Sequence, residues 1–126
     1  MYKEFKVKTN SQKASSILMI YTGGTLGMVY DSEKKTLVPF QFNEILKNIP
    51  ELGRFESELT ILPIEPAIDS SNMMPEIWLE LAKIIGDRYE DYDGFVILHG
   101  TDTMAYTSSV LSFMLGDIQK PVIVTG

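Results

Sequence analysis

Two short segments of the sequence combine hydroxyl, glycine and carboxylate residues in a way that could support covalent chemistry. The first is Thr22-Gly23-Gly24-Thr25, directly after the apolar run Ile17 to Tyr21. Glycines let backbone N–H groups approach an oxyanion, and a neighbouring threonine can be a nucleophile if a base activates its hydroxyl. Thr25 is therefore a candidate nucleophile, with a simple tight turn as the alternative. A phosphate-binding loop is disfavoured, because the glycine spacing of dinucleotide sites and the lysine of a P-loop are absent.

The second segment, His99-Gly100-Thr101-Asp102-Thr103, follows the apolar run Gly94 to Leu98. The carboxylate of Asp102 can hold a substrate ammonium group, and the hydroxyl of Thr101 can donate to a substrate carboxylate or deliver water. The alternative is that Asp102 or Thr103 only caps the following helix. His99 is the single histidine of the chain, and such a histidine is more often held by a backbone hydrogen bond than used as a general base.

Both segments follow runs that are typical of buried strands. Ile17 to Tyr21 and Gly94 to Leu98 are continuously apolar, as expected for strands covered on both faces of a parallel sheet. Apolar residues at helical spacing predict a helix from Pro75 to about Tyr89, with the proline in its first turn. A weakly charged helix over Met104 to Leu115 and a third strand over Pro121 to Val124 complete the pattern.

This alternation of strands and helices predicts an α/β fold with a mostly parallel, doubly wound sheet. Ligands of such sheets bind at the carboxyl ends of the strands. Because Thr25, Thr101 and Asp102 all follow strand ends, we expect them to converge in one crevice.

The remaining segments have weaker patterns. Leu59 to Leu62 is a strand candidate that following prolines would place at a sheet edge or end early. Met28 to Pro39 has a polar middle between β-forming residues, which predicts a loose hairpin or flap. Phe42 to Ile49 has the spacing of a short amphipathic helix, and Ile68 to Met73 is interpreted as a polar loop.

The chain divides into a short leader and one domain. Residues 1–14 are polar and lack a period, which predicts a leader that is mobile or partly extended. Residues 15–126 are expected to form part of one α/β domain. The chain stops at Thr125-Gly126, just as the third predicted strand reaches the ligand edge, so we expect it to be cut within the fold.

Composition and charge exclude several classes of partner. The net charge is −6 and the eleven Lys and Arg residues are scattered, which disfavours nucleic acid. The chain has no cysteine and one histidine, which disfavours a zinc site. The acidic cluster Asp87, Glu90, Asp91 and Asp93 lacks the spacing of a calcium loop and is interpreted as a solvated helix end. No signal peptide or membrane span is visible, so a cytoplasmic location is expected.

Together, the segments Tyr21 to Thr25 and Gly94 to Met104 resemble the two signature segments of the asparaginase and glutaminase family. Between them, Asp69 to Met73 is similar to the substrate loop of that family. The continuation Ala105-Tyr106-Thr107 resembles its bacterial cytoplasmic type I members. The likeness spans nearly all of Ile17 to Gly126, so the resemblance implies that residues 15–126 are the N-terminal part of the catalytic α/β domain of that family.

The resemblance implies an amidohydrolase that converts L-asparagine, or alternatively L-glutamine, without a cofactor. Thr25 corresponds to the nucleophile that forms an acyl-enzyme ester, and Thr101 to the second catalytic threonine. Asp102 corresponds to the residue that binds the substrate amino group. Ser70, with Asp69 and Ser71, corresponds to the residues that hold the α-carboxylate and α-amino groups. A homodimer or homotetramer is also implied.

The sequence departs from the family pattern in how Thr25 would be activated. The family uses a lysine that lies outside this chain, so the isolated segment is expected to be inactive. The tyrosine of the family's flap is replaced by Thr36-Leu37-Val38-Pro39, with Tyr30 near but not at its place, and Leu26 stands where a β-branched residue is usual. Two other hypotheses remain: a catalytically silent amino-acid-binding domain, and an asparaginase-like subunit of a transfer-RNA amidotransferase.

Overall fold

The computed structural model describes residues 2–10, 15–24, 27–39, 47 and 49–126. Within them, seven strands and two α-helices are defined. The strands are β1 (Phe5–Val7), β2 (Ser16–Tyr21), β3 (Met28–Asp31), β4 (Thr36–Pro39), β5 (Glu58–Pro63), β6 (Gly94–Leu98) and β7 (Val122–Thr125). The helices are α1 (Pro75–Asp87) and α2 (Met104–Met114).

The main sheet has five strands in the order β1-β5-β2-β6-β7. Strands β5, β2, β6 and β7 are parallel, whereas β1 pairs antiparallel with β5. The registers align Tyr21 with Pro63 and with Leu98, and Leu98 with Thr125. The parallel strands therefore end level with one another, and the loops that follow them leave from one edge.

Strands β2 and β5 are covered on both faces of the sheet, as the continuous apolar run Ile17 to Tyr21 predicted. On one face, Leu18, Ile20 and Ile97 pack with apolar residues of α1 and α2. On the other face, Leu59 and Ile61 pack with Leu52 of the 3₁₀ turn Pro50–Arg54 and with Val7. Because neighbouring side chains of a strand point to opposite faces, one apolar run supplies both cores.

Helix α1 confirms the predicted amphipathic helix. It begins at Pro75, whose missing N–H costs nothing in the first turn. Its buried residues Leu81, Ile84 and Ile85 lie on the face that packs against the sheet, with Ile84 and Ile85 about one turn after Leu81. Fully burying an aliphatic side chain contributes roughly 2 kcal/mol, so this face is the main reason that α1 is held at the sheet.

Of the two alternatives for Leu59 to Leu62, an edge position is wrong, whereas an early end at the prolines agrees with the structure. Strand β5 lies inside the sheet, between β1 and β2. The predicted leader contains β1, which pairs with β5 through Phe5 and Ile61. Pro63 is the last residue of β5, so the prolines end the strand without placing it at the edge.

One further prediction is confirmed, and another falls mostly outside the described residues. The segment Met28 to Pro39 is the predicted hairpin, with β3 and β4 paired antiparallel. Its tight turn includes Lys35 at a φ of 52°. Most of the helix predicted over Phe42 to Ile49 lies outside the described residues, and it stays a prediction.

Candidate active site

Three polar loops meet at the carboxyl edge of the sheet. The loop after β2 begins at Thr22, the loop after β5 includes Asp69 and Ser70, and the loop after β6 begins at His99. Level strand ends bring these loops together although long stretches of chain separate them. This is the edge at which ligands bind in parallel α/β sheets.

The loops enclose a cavity of about 460 Å³. Its walls are formed by Gly24, Met28, Ala67, Ile68, Asp69, Ser70, Gly100, Thr101 and Asp102. A volume of this size suits a small molecule. Of the sequence-predicted site residues, Asp69, Ser70, Thr101 and Asp102 thus share one cavity, whereas Ser71 is exposed beside it and outside the lining set. Thr25 lies outside the described residues.

Thr22 connects all three loops through its backbone and its side chain. Its N–H and its Oγ1 both donate to the Leu98 carbonyl, at 3.0 Å and 2.9 Å. Its carbonyl accepts from the N–H of Ile68 at 2.7 Å. Thr22 is buried, so its hydroxyl is a structural group rather than a second candidate nucleophile.

The two glycines that follow allow the loops to approach closely. Gly23 has a φ of 152°, and a Cβ there would lie 2.0 Å from the Ile68 carbonyl oxygen. Gly24 has a φ of 91°, and a Cβ there would lie 3.2 Å from the backbone of Gly100. Side chains at either position would therefore be strained and would separate the loops.

The loop after β5 turns sharply at Asp69. The carboxylate of Asp69 accepts a hydrogen bond from the N–H of Ser71 at 3.0 Å, at the start of the 3₁₀ turn Ser70–Asn72. This backbone hydrogen bond lowers the pKa of Asp69, because it stabilises the charged form of a carboxylate that is already ionised at neutral pH. Ser70 is buried at the junction with the loop after β6.

Contacts between the loops after β5 and β6 were not visible in the sequence. A Cβ on Gly100 would lie 2.5 Å from Oγ of Ser70, so glycine is what lets these loops touch. Thr103 donates its hydroxyl to the Ser70 carbonyl at 2.7 Å. Thr103 is the N-cap residue of α2, but its side chain makes no capping hydrogen bond, so the alternative role as a simple cap is not supported for it.

Thr101 and Asp102 are exposed at the cavity, within a single 3₁₀ turn that leads into α2. Their hydroxyl and carboxylate can meet a ligand that enters from solvent. The imidazole of His99, in contrast, is 2% exposed and its Nδ1 lies 2.6 Å from the Gly100 carbonyl oxygen. The predicted backbone hydrogen bond is confirmed.

Tyr21 packs against the loop after β2 at Gly24 and Gly27. It is buried, and its hydroxyl donates to the Gly24 carbonyl at 3.0 Å. A Cβ on Gly27 would lie 2.1 Å from the Tyr21 ring. The loop that carries Thr25 is thus packed on this tyrosine at both of its ends, at Gly24 and at Gly27.

Replacing Tyr21 with phenylalanine is expected to destabilise the protein by about 1 kcal/mol, because the Gly24 carbonyl loses the shorter of its two hydrogen bonds and keeps only that from the N–H of Gly27 at 3.3 Å. Urea unfolding of the full-length protein measures this, with the exposed Tyr30 changed to phenylalanine as the control. Burial raises the pKa of Tyr21 from 10.0. The hydrogen bond therefore stabilises the fold fully at pH values below 10.0, the ordinary pKa of tyrosine. The stabilisation is lost as the pH rises through the higher pKa of Tyr21 in the folded protein. Equal unfolding midpoints for the two variants would contradict the assignment.

Within the described ranges, no group of three or more His, Cys, Asp or Glu side chains is placed to hold a metal ion. The acidic residues Asp87, Glu90, Asp91 and Asp93 are exposed, and Asp93 accepts from the backbone N–H of Ser16 at 2.8 Å. In the part of the chain that the structure describes, the helices are too short or too polar to cross a membrane.

Comparison with known proteins identifies the family. Residues 16–126 match the family model for the N-terminal region of asparaginase. The chain belongs to the asparaginase family. It is 52% identical over 112 residues to L-asparaginase 1 of Escherichia coli strain K12, an alignment that covers 88% of this chain and 33% of that relative. It is also 40% identical over 116 residues to a glutamyl-tRNA(Gln) amidotransferase component of Pyrococcus horikoshii, covering 87% and 25%.

Solved structures of the asparaginase family share this architecture. L-asparaginase I from Vibrio cholerae superposes with a TM-score of 0.77 at 47% identity, over 89% of this chain and 34% of that chain. A probable cytoplasmic L-asparaginase from Campylobacter jejuni gives 0.68 at 37% identity, over 87% and 34%. These matches confirm the predicted mostly parallel α/β fold. The chain spans about a third of the length of the asparaginases that it matches.

Proposed function

We propose that the full-length protein hydrolyses L-asparagine to L-aspartate and ammonia. The observation that carries this proposal is the family match over residues 16–126, together with a cavity in which Ser70, Thr101 and Asp102 meet at the carboxyl edge of the sheet. An asparagine molecule presents an ammonium group, a carboxylate and an amide. The loops offer a carboxylate, hydroxyls and backbone N–H groups to match them.

In the proposed reaction, Thr25 is the nucleophile. Its hydroxyl oxygen bonds to the side-chain amide carbon, the bond from that carbon to nitrogen breaks, and the threonine proton leaves with the nitrogen as ammonia. Water then attacks the resulting ester, which releases aspartate and restores the hydroxyl. A neutral threonine is a weak nucleophile and requires a base, which the family resemblance assigns to a lysine outside this chain. This covalent route uses only a hydroxyl and water, so we propose no cofactor.

The residues around the cavity would bind the rest of the substrate. Asp102 would hold the α-ammonium group in a charge-assisted hydrogen bond, and Thr101 would orient the attacking water. Ser70 and Ser71 would donate to the α-carboxylate, and the ionised Asp69 would complete the ammonium site. The proximity of Asp69, Ser70, Thr101 and Asp102 around one cavity supports this assignment.

Ammonia release from L-asparagine by the full-length protein tests the proposal. We expect turnover with L-asparagine, weaker turnover with L-glutamine and none with D-asparagine. Contacts to the ammonium, the carboxylate and the amide of the substrate together select one enantiomer. Absence of ammonia from L-asparagine under conditions where the protein is folded would reject it. The favoured hypothesis would then be a catalytically silent domain that binds amino acids.

A second candidate follows from the match to the amidotransferase component. In that role, ammonia would be released for a partner enzyme, and hydrolysis of the free amide would be slow unless the partner and its transfer RNA were added. The same assay with and without such a partner separates the two. We favour the free hydrolase, because the identity to the E. coli asparaginase is higher than the identity to the amidotransferase component. We also propose that the protein is cytoplasmic and assembles as a dimer or tetramer, as the family resemblance implies.

A further inference from the structure

A chain of buried hydrogen bonds runs from Trp78 through Thr107 and His99 to Gly100 in the wall of the cavity. His99 lies at the end of β6 and is 2% exposed. Its Nδ1 lies 2.6 Å from the Gly100 carbonyl oxygen, and its Nε2 lies 2.8 Å from Oγ1 of Thr107 in α2. Thr107 is fully buried, and its Oγ1 also accepts from Nε1 of Trp78 in α1 at 2.9 Å. Three elements are thus joined behind one loop.

The chemistry of the partners gives this chain a direction. A carbonyl oxygen only accepts, so Nδ1 of His99 carries the hydrogen that Gly100 receives. The indole N–H of Trp78 only donates. The Thr107 hydroxyl therefore accepts from Trp78 and has its own hydrogen to give to Nε2 of His99. Both ring nitrogens then have partners inside the protein, so neither is directed at a nucleophile or at water in the cavity.

The receiving carbonyl belongs to the wall of the cavity. Gly100 lines the cavity, contacts Ser70, and directly precedes Thr101 and Asp102. The hydrogen bond from His99 fixes the plane of the peptide that joins Gly100 to Thr101. That plane sets the direction in which the next two residues leave the sheet.

We propose that His99 is a positioning residue, held by Thr107 and Trp78, that places Thr101 and Asp102 for the reaction. This inference rests on the proposed function of the site. His99 does not line the cavity, so its loss should leave the loop able to contact substrate but misaligned with the nucleophile. Displacements of about 1 Å can cost roughly 100-fold in rate. The expected signature is therefore a fall in kcat that exceeds the rise in KM.

The test uses two matched pairs of variants in the full-length protein. His99→Phe keeps a ring but removes both nitrogens, whereas His99→Asn keeps a donor near the position of Nδ1. Thr107→Val removes the hydroxyl at constant shape, and Thr107→Ser keeps it. We expect His99→Phe and Thr107→Val to lower kcat by about 10- to 100-fold. We expect His99→Asn and Thr107→Ser to recover most of the loss.

A control variant, measured for both melting temperature and kcat, separates an effect on positioning from an effect on stability. Thr60 is a buried threonine of β5 outside the cavity wall, so Thr60→Val loses a comparable hydroxyl far from the loop. It should lower the melting temperature while kcat, measured well below that temperature, stays at the wild-type value. A kcat loss in Thr60→Val equal to that in Thr107→Val would overturn the proposal, as would wild-type kcat in a folded His99→Phe protein.

Crystal structures of the wild type and of Thr107→Val provide a readout that does not need turnover. We expect the Gly100 carbonyl to rotate and the backbone of Thr101 and Asp102 to shift. An unchanged loop would overturn the proposal. If the wild-type protein fails to release ammonia, the proposed function is rejected, and the loop shift still decides whether His99 positions these residues.

Discussion

Alanine in place of Thr25 is expected to abolish ammonia release from L-asparagine, with a loss in kcat of roughly 10⁴-fold or more. The reason is that the alanine variant has no oxygen with which to form the ester, and water in the same cavity is a much weaker nucleophile. Binding should persist, because the groups proposed to hold the substrate are unchanged. The measurement is steady-state ammonia release, with substrate affinity followed by calorimetry.

Two hydroxyl-retaining variants provide the controls. Thr25→Ser keeps the nucleophilic oxygen and should retain measurable turnover. Thr22→Ser changes the neighbouring threonine but keeps its hydroxyl bond to the Leu98 carbonyl, so it should behave like the wild type. Undiminished turnover in Thr25→Ala would remove the nucleophile assignment.

Asparagine in place of Asp102 is the second variant for which we expect a large effect. The substitution keeps the shape of the side chain but removes the negative charge proposed to hold the substrate ammonium. A hydrogen bond between charged partners contributes up to about 3 kcal/mol, so the KM for L-asparagine should rise by roughly 100-fold. KM and kcat from full saturation curves measure the effect.

The matched control for this variant is Asp117→Asn. Asp117 is also an exposed aspartate, but it lies outside the cavity wall, so the same change in net charge should leave KM within about twofold, as expected for a remote, screened charge. An equal rise in KM in both variants would point to long-range electrostatics. A wild-type KM in Asp102→Asn would remove this residue from the substrate site.

The framework of the site could be predicted because it depends on local patterns. Continuous apolar runs such as Ile17 to Tyr21 and Gly94 to Leu98 predicted buried strands, and the first run is covered on both faces, with Leu18 and Ile20 in one core and Ile17 and Met19 against the other. From this it followed that the polar residues after them would meet at one edge. Gly24, which directly precedes Thr25, lines the same cavity as Thr101 and Asp102, and the convergence of Thr25 itself with them stays a prediction.

The features that could not be predicted are set by contacts between distant parts of the chain. The prolines of β5 are a local signal that left an edge position open as one alternative, whereas the pairing of β5 with β1 joins residues as distant in sequence as Phe5 and Ile61. The hydrogen bond from Trp78 to Thr107 spans 29 positions. A single sequence contains no periodicity that pairs such side chains, so the support behind His99 became visible only in three dimensions.

Some parts of the site stay predictions. Thr25 lies outside the described residues, and its role rests on its place in the signature segment and on the geometry of Gly24 before it. Ser71 supports the turn through its N–H bond to Asp69, and the role of its hydroxyl toward the substrate carboxylate rests on the family resemblance. The expected inactivity of the isolated segment is likewise a prediction.

The common direction of the parallel strands also separates the molecule into a working edge and a remote edge, which is useful for attaching probes. Glu56 is exposed just before β5 begins, a strand length or roughly 20 Å from the loop that holds Ser70. Because the chain contains no cysteine, a thiol introduced at Glu56 would be the only one in this segment. A fluorophore there could report on substrate binding without occupying the space that the substrate needs.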